Sequence, residues 1–199
     1  MLVIGLGNPG SQYARTRHNV GFFVADETVL RLGVRFRKSL LRGYLHAHAK
    51  SDYPESTTHF YVVKPVTFMN RSGRVVPGLL KRLRHESESM LVVCDTLDLP
   101  IGVTRLKRGG SSAGHRGLSS IIEELGSESF LRLMIGIGRP PEKSNVVDFV
   151  LGDFSDAELT MIGPSVRRAA DAIMSLANRS VEEVMNELNR RNSQPRNGS

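Results

Sequence analysis

The 199-residue chain predicts an α/β fold: a single domain whose central mixed, largely parallel sheet is flanked by helices. Three observations carry this expectation. Short apolar runs bounded by glycine or polar residues recur along the chain, at 2–4 (LVI), 90–94 (MLVVC) and 130–137 (FLRLMIGI), as buried strands do. Stretches with helical apolar spacing fall between and after them. Hydrophobic residues make up 40% and charged residues 24%, enough to fill one full core. The domain is expected over 1–190; residues 191–199 (RNSQPRNGS) carry no apolar anchor and read as a disordered tail.

The first strand, Leu2 to Ile4, runs into Gly5, Gly7 and Gly10 at G-x-G-x-x-G spacing. A dinucleotide site would need a helix opening at those glycines and an acid about twenty residues on. Pro9 removes a loop N–H, residues 11–18 are polar and basic, and helical spacing begins only at Val20. Strand and first helix are therefore separated by a long loop ending in His18, and such loops carry site residues. Gly33 is a C-cap candidate. Residues 44–49 alternate, with Tyr44, His46 and His48 on the half-exposed face. A His-x-His pair without a nearby third ligand is read as strand surface, with no metal. A turn-rich connection is expected over 51–58, then a strand over 60–63. Ser72 is a candidate cap for the next helix, whose start or kink is set by Pro77.

The buried strand at 90–94 ends at Asp95, where open α/β sheets place their sites. VTRLKR (103–108) is a strand with basic side chains, and GGSSAGHRG is a glycine-serine loop able to offer N–H groups to an anion. A helix over 117–125, a strand over 130–137, a turn at GRPPEK and a short apolar element at 146–151 follow. The region from 153 is helical, with Gly163-Pro164 expected to split it, and a last helix covers about 180–188.

Lys and Arg number 27 against 20 Asp and Glu, a net charge of +7 that points to a polyanionic partner. Aromatic content is 6% with no Trp, so phosphate contact is favoured over base stacking. No apolar run is long enough for a membrane span, and an amino terminus that enters a strand and glycine loop is unlike a signal peptide. The single cysteine, Cys94, lies in a buried run and excludes an internal disulfide, as expected of a cytoplasmic protein.

GLGNPG with Tyr13 and TRHNVG (5–21), TFMNRSG (67–73), DTLDLP (95–100), and the glycine loop leading through GLSSII (117–122) to RLMIGIGRP (132–140) together resemble the bacterial peptidyl-tRNA hydrolases in order and spacing. The resemblance implies that family's single α/β domain. It also implies hydrolysis of the ester joining a peptide to the 3′ end of tRNA, with tRNA as partner, no membrane, no cofactor and a monomer.

It assigns His18 as general base, Asp95 as its stabiliser, and Asn8 and Asn70 as the amides that place the substrate. It places Tyr13 and Phe68 at the tRNA end and Lys107 at a phosphate. The chemistry fits: ester hydrolysis near neutral pH needs a base such as His, and a buried carboxylate can fix its tautomer. No serine stands in a G-x-S-x-G elbow. The chain departs from the family twice. Arg116 stands where GHNG is usual, and Met134 where a basic residue is common. These departures keep open a catalytically weakened RNA-binding relative as the alternative.

Overall fold

The computed structural model describes residues 1–39, 42–53, 56–141 and 145–191; the expected tail beyond 191 lies outside them. A 7-stranded sheet has the order β2-β3-β4-β1-β5-β7-β6. The strands are β1 (Leu2–Gly5), β2 (Arg37–Lys38), β3 (Tyr44–Tyr53), β4 (Ser56–Pro65), β5 (Met90–Thr96), β6 (Thr104–Arg108) and β7 (Leu131–Gly136). β1 runs parallel to β4 and β5, and β5 parallel to β7. The flanking pairs β2–β3, β3–β4 and β6–β7 are antiparallel. Parallel strands thus occupy the centre, covered on both faces, and β1 and β5 are buried at every residue.

Among the described residues six α-helices flank the sheet: α1 (Val20–Arg31), α2 (Val76–Leu83), α3 (Arg116–Leu125), α4 (Val146–Leu151), α5 (Asp156–Ser175) and α6 (Val181–Arg191). One face packs Val3, Val93 and Leu133 with Val24 of α1 and Ala169 and Ile173 of α5. The other packs Ile4, Val92 and Cys94 with Leu79 of α2 and Ile121 of α3. Burial in that second core pushes the Cys94 thiol far above its usual range, so it stays protonated packing material. No helix of the described residues is long and apolar enough to cross a membrane.

Four local expectations need correction. Residues 51–53 and 56–58 are strand, because the β3–β4 hairpin keeps its pairing out to Tyr53 opposite Ser56. The half-exposed face of β3 begins covered: Tyr44 is buried in the second core, and farther out His48 meets His59 of β4 at 3.0 Å. Ser72 caps no helix. It is buried inside a 3-10 stretch, Met69–Val75, and α2 starts at Val76 with Pro77 in its first turn, where a missing N–H costs little. Nor does Gly163-Pro164 split the last region, since α5 runs unbroken through Pro164. Ile162, Ser165, Val166 and Ala169 are buried on both sides of the proline, and that packing holds one axis.

Candidate active site

The site forms where α1 meets the carboxyl ends of β1 and β5. Gly21 makes the approach possible. A Cβ there would lie 2.5 Å from the carbonyl oxygens of Leu6 and Val93, so only glycine lets the helix start press against both strands. The residues just before it, Arg17–Asn19, form a 3-10 turn that carries His18 inward. Arg17 anchors this turn from outside. Its guanidinium grips the Glu158 carboxylate at 2.9 and 2.8 Å and donates to the Phe149 carbonyl at 3.2 Å. Burial alone would raise the Glu158 carboxyl; the Ser155 N–H and Arg17 outweigh it and hold the carboxyl below its ordinary value.

His18 Nδ1 lies 2.7 Å from Asp95 Oδ1, and His115 Nε2 lies 2.9 Å from the same oxygen. Asp95 is the penultimate residue of β5 rather than the residue after it. The proton positions follow from α3 for His115 and from the Asp95 carboxylate for His18. His115 is the N-cap of α3, and its Nδ1 accepts the N–H groups of Gly117 (3.1 Å) and Leu118 (3.2 Å). An accepting Nδ1 carries no proton, so the His115 proton sits on Nε2 and is donated to Asp95. Asp95 can only accept, so His18 donates through Nδ1. Nε2 of His18 is left with its lone pair, the arrangement a general base requires. Burial would push the Asp95 carboxyl up, but the imidazoles of His115 and His18 outweigh it and hold it well below the usual carboxylate range.

Asn8 forms the adjacent wall. Its Oδ1 accepts the Met69 N–H at 2.8 Å, which fixes the amide orientation and leaves the NH2 group as its donor. Asn19 holds the Asn8 backbone from the other side, accepting its N–H at 2.8 Å and donating to its carbonyl at 3.0 Å.

These groups open into a cleft of about 810 Å³ lined by Asn8, His18 and Asp95 together with Tyr13, Phe68, Asn70, Lys107 and Arg116. The structure therefore brings the eight site residues named from the family resemblance to one cleft. Phe68 is 55% exposed, an unusual state for an aromatic ring and a fitting one for a ligand contact. Met134 lines the cleft but is 9% exposed. Val146, Val147, Val150 and Leu151 of α4 form an apolar flank.

Sequence reasoning missed His115 and Asn19. His115 stood in view between a glycine loop and a helix, where its cap role was legible, but its reach to Asp95 spans 20 positions and was not. Among the described residues, His18, Asp95 and His115 are the group whose spacing suits a metal ion. Here each imidazole directs an N–H at the carboxylate, so the geometry is that of a hydrogen-bonded triad.

The family model described as peptidyl-tRNA hydrolase matches residues 2–196. A peptidyl-tRNA hydrolase of Nocardia farcinica is 44% identical, the match covering 94% of this chain and 95% of that protein. One from Aquifex aeolicus is 42% identical over 95% of this chain and 96% of its own length. The crystal structure of peptidyl-tRNA hydrolase from Acinetobacter baumannii superposes with a TM-score of 0.85 at 34% identity, covering 94% of this chain and 93% of that one. A His–Asp–His triad centred on Asp95 of β5, with an open cleft beside it, is thus set in a chain that belongs to the peptidyl-tRNA hydrolase family.

Proposed function

We propose that this chain hydrolyses the ester between a peptide and the 3′ ribose of tRNA, with His18 as general base. The observation that carries the assignment is the bond from His18 Nδ1 to the accepting carboxylate of Asp95, which leaves His18 Nε2 with its lone pair beside the cleft. His18 Nε2 takes a proton from water as its oxygen attacks the ester carbonyl carbon. The charge grows on the carbonyl oxygen, where the Asn8 NH2 group is a preorganised donor. The C–O bond to the ribose then breaks, and the imidazolium returns its proton to the departing ribose oxygen. Asp95 stabilises the imidazolium in between and keeps its own charge.

Asn70 places the acylated end of the substrate, Tyr13 and Phe68 contact the tRNA end, Lys107 meets a phosphate, and Arg116 meets phosphate or ribose. No cofactor enters these steps. The net charge of +7 supports electrostatic capture of tRNA. The single, buried cysteine supports a cytoplasmic location, and we take the acting unit to be a monomer of one domain spanning 1–190.

The deciding assay is release of N-acetyl-amino acid from N-acetyl-aminoacyl-tRNA, with unblocked aminoacyl-tRNA as control. Cleavage of the first and sparing of the second is the expected result. Tight tRNA binding without cleavage would replace the enzyme with an RNA-binding relative of the same fold.

A further inference from the structure

Arg132, in β7, has none of its surface exposed, yet the mechanism above gives it nothing to do. Its guanidinium donates through Nη1 to the Ser111 carbonyl at 2.5 Å and through Nη2 to the carbonyls of Gly110 and Glu128. It also lies over the Phe130 ring, 4.6 Å from its centroid. Among the described residues no carboxylate pairs with it. A buried cation hydrogen-bonded only to main-chain oxygens, with one aromatic ring and the nearby charge of Glu128 in support, is costly, and an apolar residue would fill the same volume more cheaply. Its partners show what the charge is for.

Gly110 and Ser111 belong to the loop between β6 and α3. That loop is conformationally expensive: φ is 59° at Gly109, 101° at Gly110, 47° at Ala113 and 80° at Gly114. Ala113 has a side chain and adopts the left-handed region against its preference. The loop's own backbone bonds lie at its ends, from Gly109 N–H to the Phe130 carbonyl at 2.9 Å and from His115 N–H to the Ser112 carbonyl at 2.9 Å. Between them the carbonyls of Gly110 and Ser111 accept from Arg132. Ser111 to Gly114 line the cleft, as does Arg132, and the loop's last step delivers His115 to Asp95.

We propose that Arg132 is a positioning residue for hydrolysis. Its planar fork clamps two successive loop carbonyls, so that a strained loop presents His115 to Asp95 in one fixed geometry. The inference rests on the hydrolase reading of the triad. A guanidinium suits the task because its two Nη groups point in one plane at fixed spacing, whereas a lysine ammonium offers charge without the fork.

The test compares the full-length wild type with Arg132→Lys and Arg132→Met. Amide hydrogen exchange is followed at Gly109, His115, Gly117 and Leu118, with β5 amides reporting the global fold. kcat and KM are measured on N-acetyl-aminoacyl-tRNA, and affinity is measured for deacylated tRNA. Arg132→Lys is expected to keep β5 protection and deacylated-tRNA affinity. Its loop amides should exchange faster, and its kcat should fall about tenfold, the scale of losing one charged hydrogen bond. Arg132→Met should do the same more severely; if it does not fold, the lysine variant carries the test. A lysine variant with wild-type kcat and loop exchange would overturn the clamp. So would a fall in kcat with loop exchange unchanged. A wild type that hydrolyses nothing, while the loop still loosens in the variant, would sink the hydrolase reading and leave the clamp standing as a loop brace.

Discussion

The floor and the rim of the cleft are built on opposite principles. On the floor, Asn8, His18 and Asp95 are 6%, 7% and 3% exposed, and each is tied to a partner from a distant part of the chain. On the rim, Phe68, Asn70 and Arg116 stand exposed, with no hydrogen bond from their side chains among the described residues. The floor has already met the ordering cost before substrate arrives, so its donors and acceptors need no reorganisation during reaction. The rim stays adaptable and works by charge and contact area, which suits a polyanion whose peptide varies. Changes on the floor should therefore act on turnover, and changes on the rim on affinity.

The largest expected effect tests the floor. His18→Ala should lower kcat by about a hundredfold or more, the usual loss for a general base, with tRNA affinity near wild type. A variant turning over at half the wild-type rate would remove His18 from the mechanism.

Asp95→Asn tests whether the floor's charge is stored in folding. The folded carboxyl titrates below its unfolded value near 3.9. Its contribution to stability is therefore fully present above about pH 4 and is lost as pH falls through the depressed folded value. Denaturant melts between neutral pH and pH 2 should give wild type the steeper loss on acidification, and the Asn variant a flatter curve. Equal slopes would mean that Asp95 is not held by the two imidazoles.

His115→Asn separates the two bonds of one side chain. Asparagine is a good N-cap, so α3 should stay within about 1 kcal/mol of wild type. It is too short to cap and reach Asp95 together, so kcat should fall about tenfold. Unchanged kcat in a folded variant would confine His115 to capping.

The smallest effect belongs to the rim. KM should rise steeply with salt while kcat holds, and Arg116→Asn should flatten that slope by about one counterion with most turnover kept. An unchanged slope would show that Arg116 meets no phosphate.

The two regions were not equally legible. Rim residues sit in stretches whose composition announces them, as with Tyr13 in the polar stretch and Lys107 in an alternating basic strand. On the floor, His18 and Asp95 could be named one at a time, but their joining is a contact across 77 positions. It depends on Gly21 admitting α1 between Leu6 and Val93. No local pattern carries such a distance.

By itself, the sequence determined the α/β class, the alternation of strands and helices and the net basic charge, while the grouping of its motifs at one site was implied only by the family resemblance. The first three follow from apolar periodicity, turn residues and charge, which act over a few positions. Tertiary structure alone decided the rest. It extended the hairpin through residues expected to turn, because each strand supplies the other's hydrogen bonds. It kept α5 whole across Pro164, because buried side chains on both sides fix the axis. It brought His18 and His115 to one carboxylate, Asp95, which sets the proton on His18, and placed Arg132 against the carbonyls of the loop before His115. In these cases a polar group in a dry interior must find a partner wherever the fold places one, and only the folded chain says where that is.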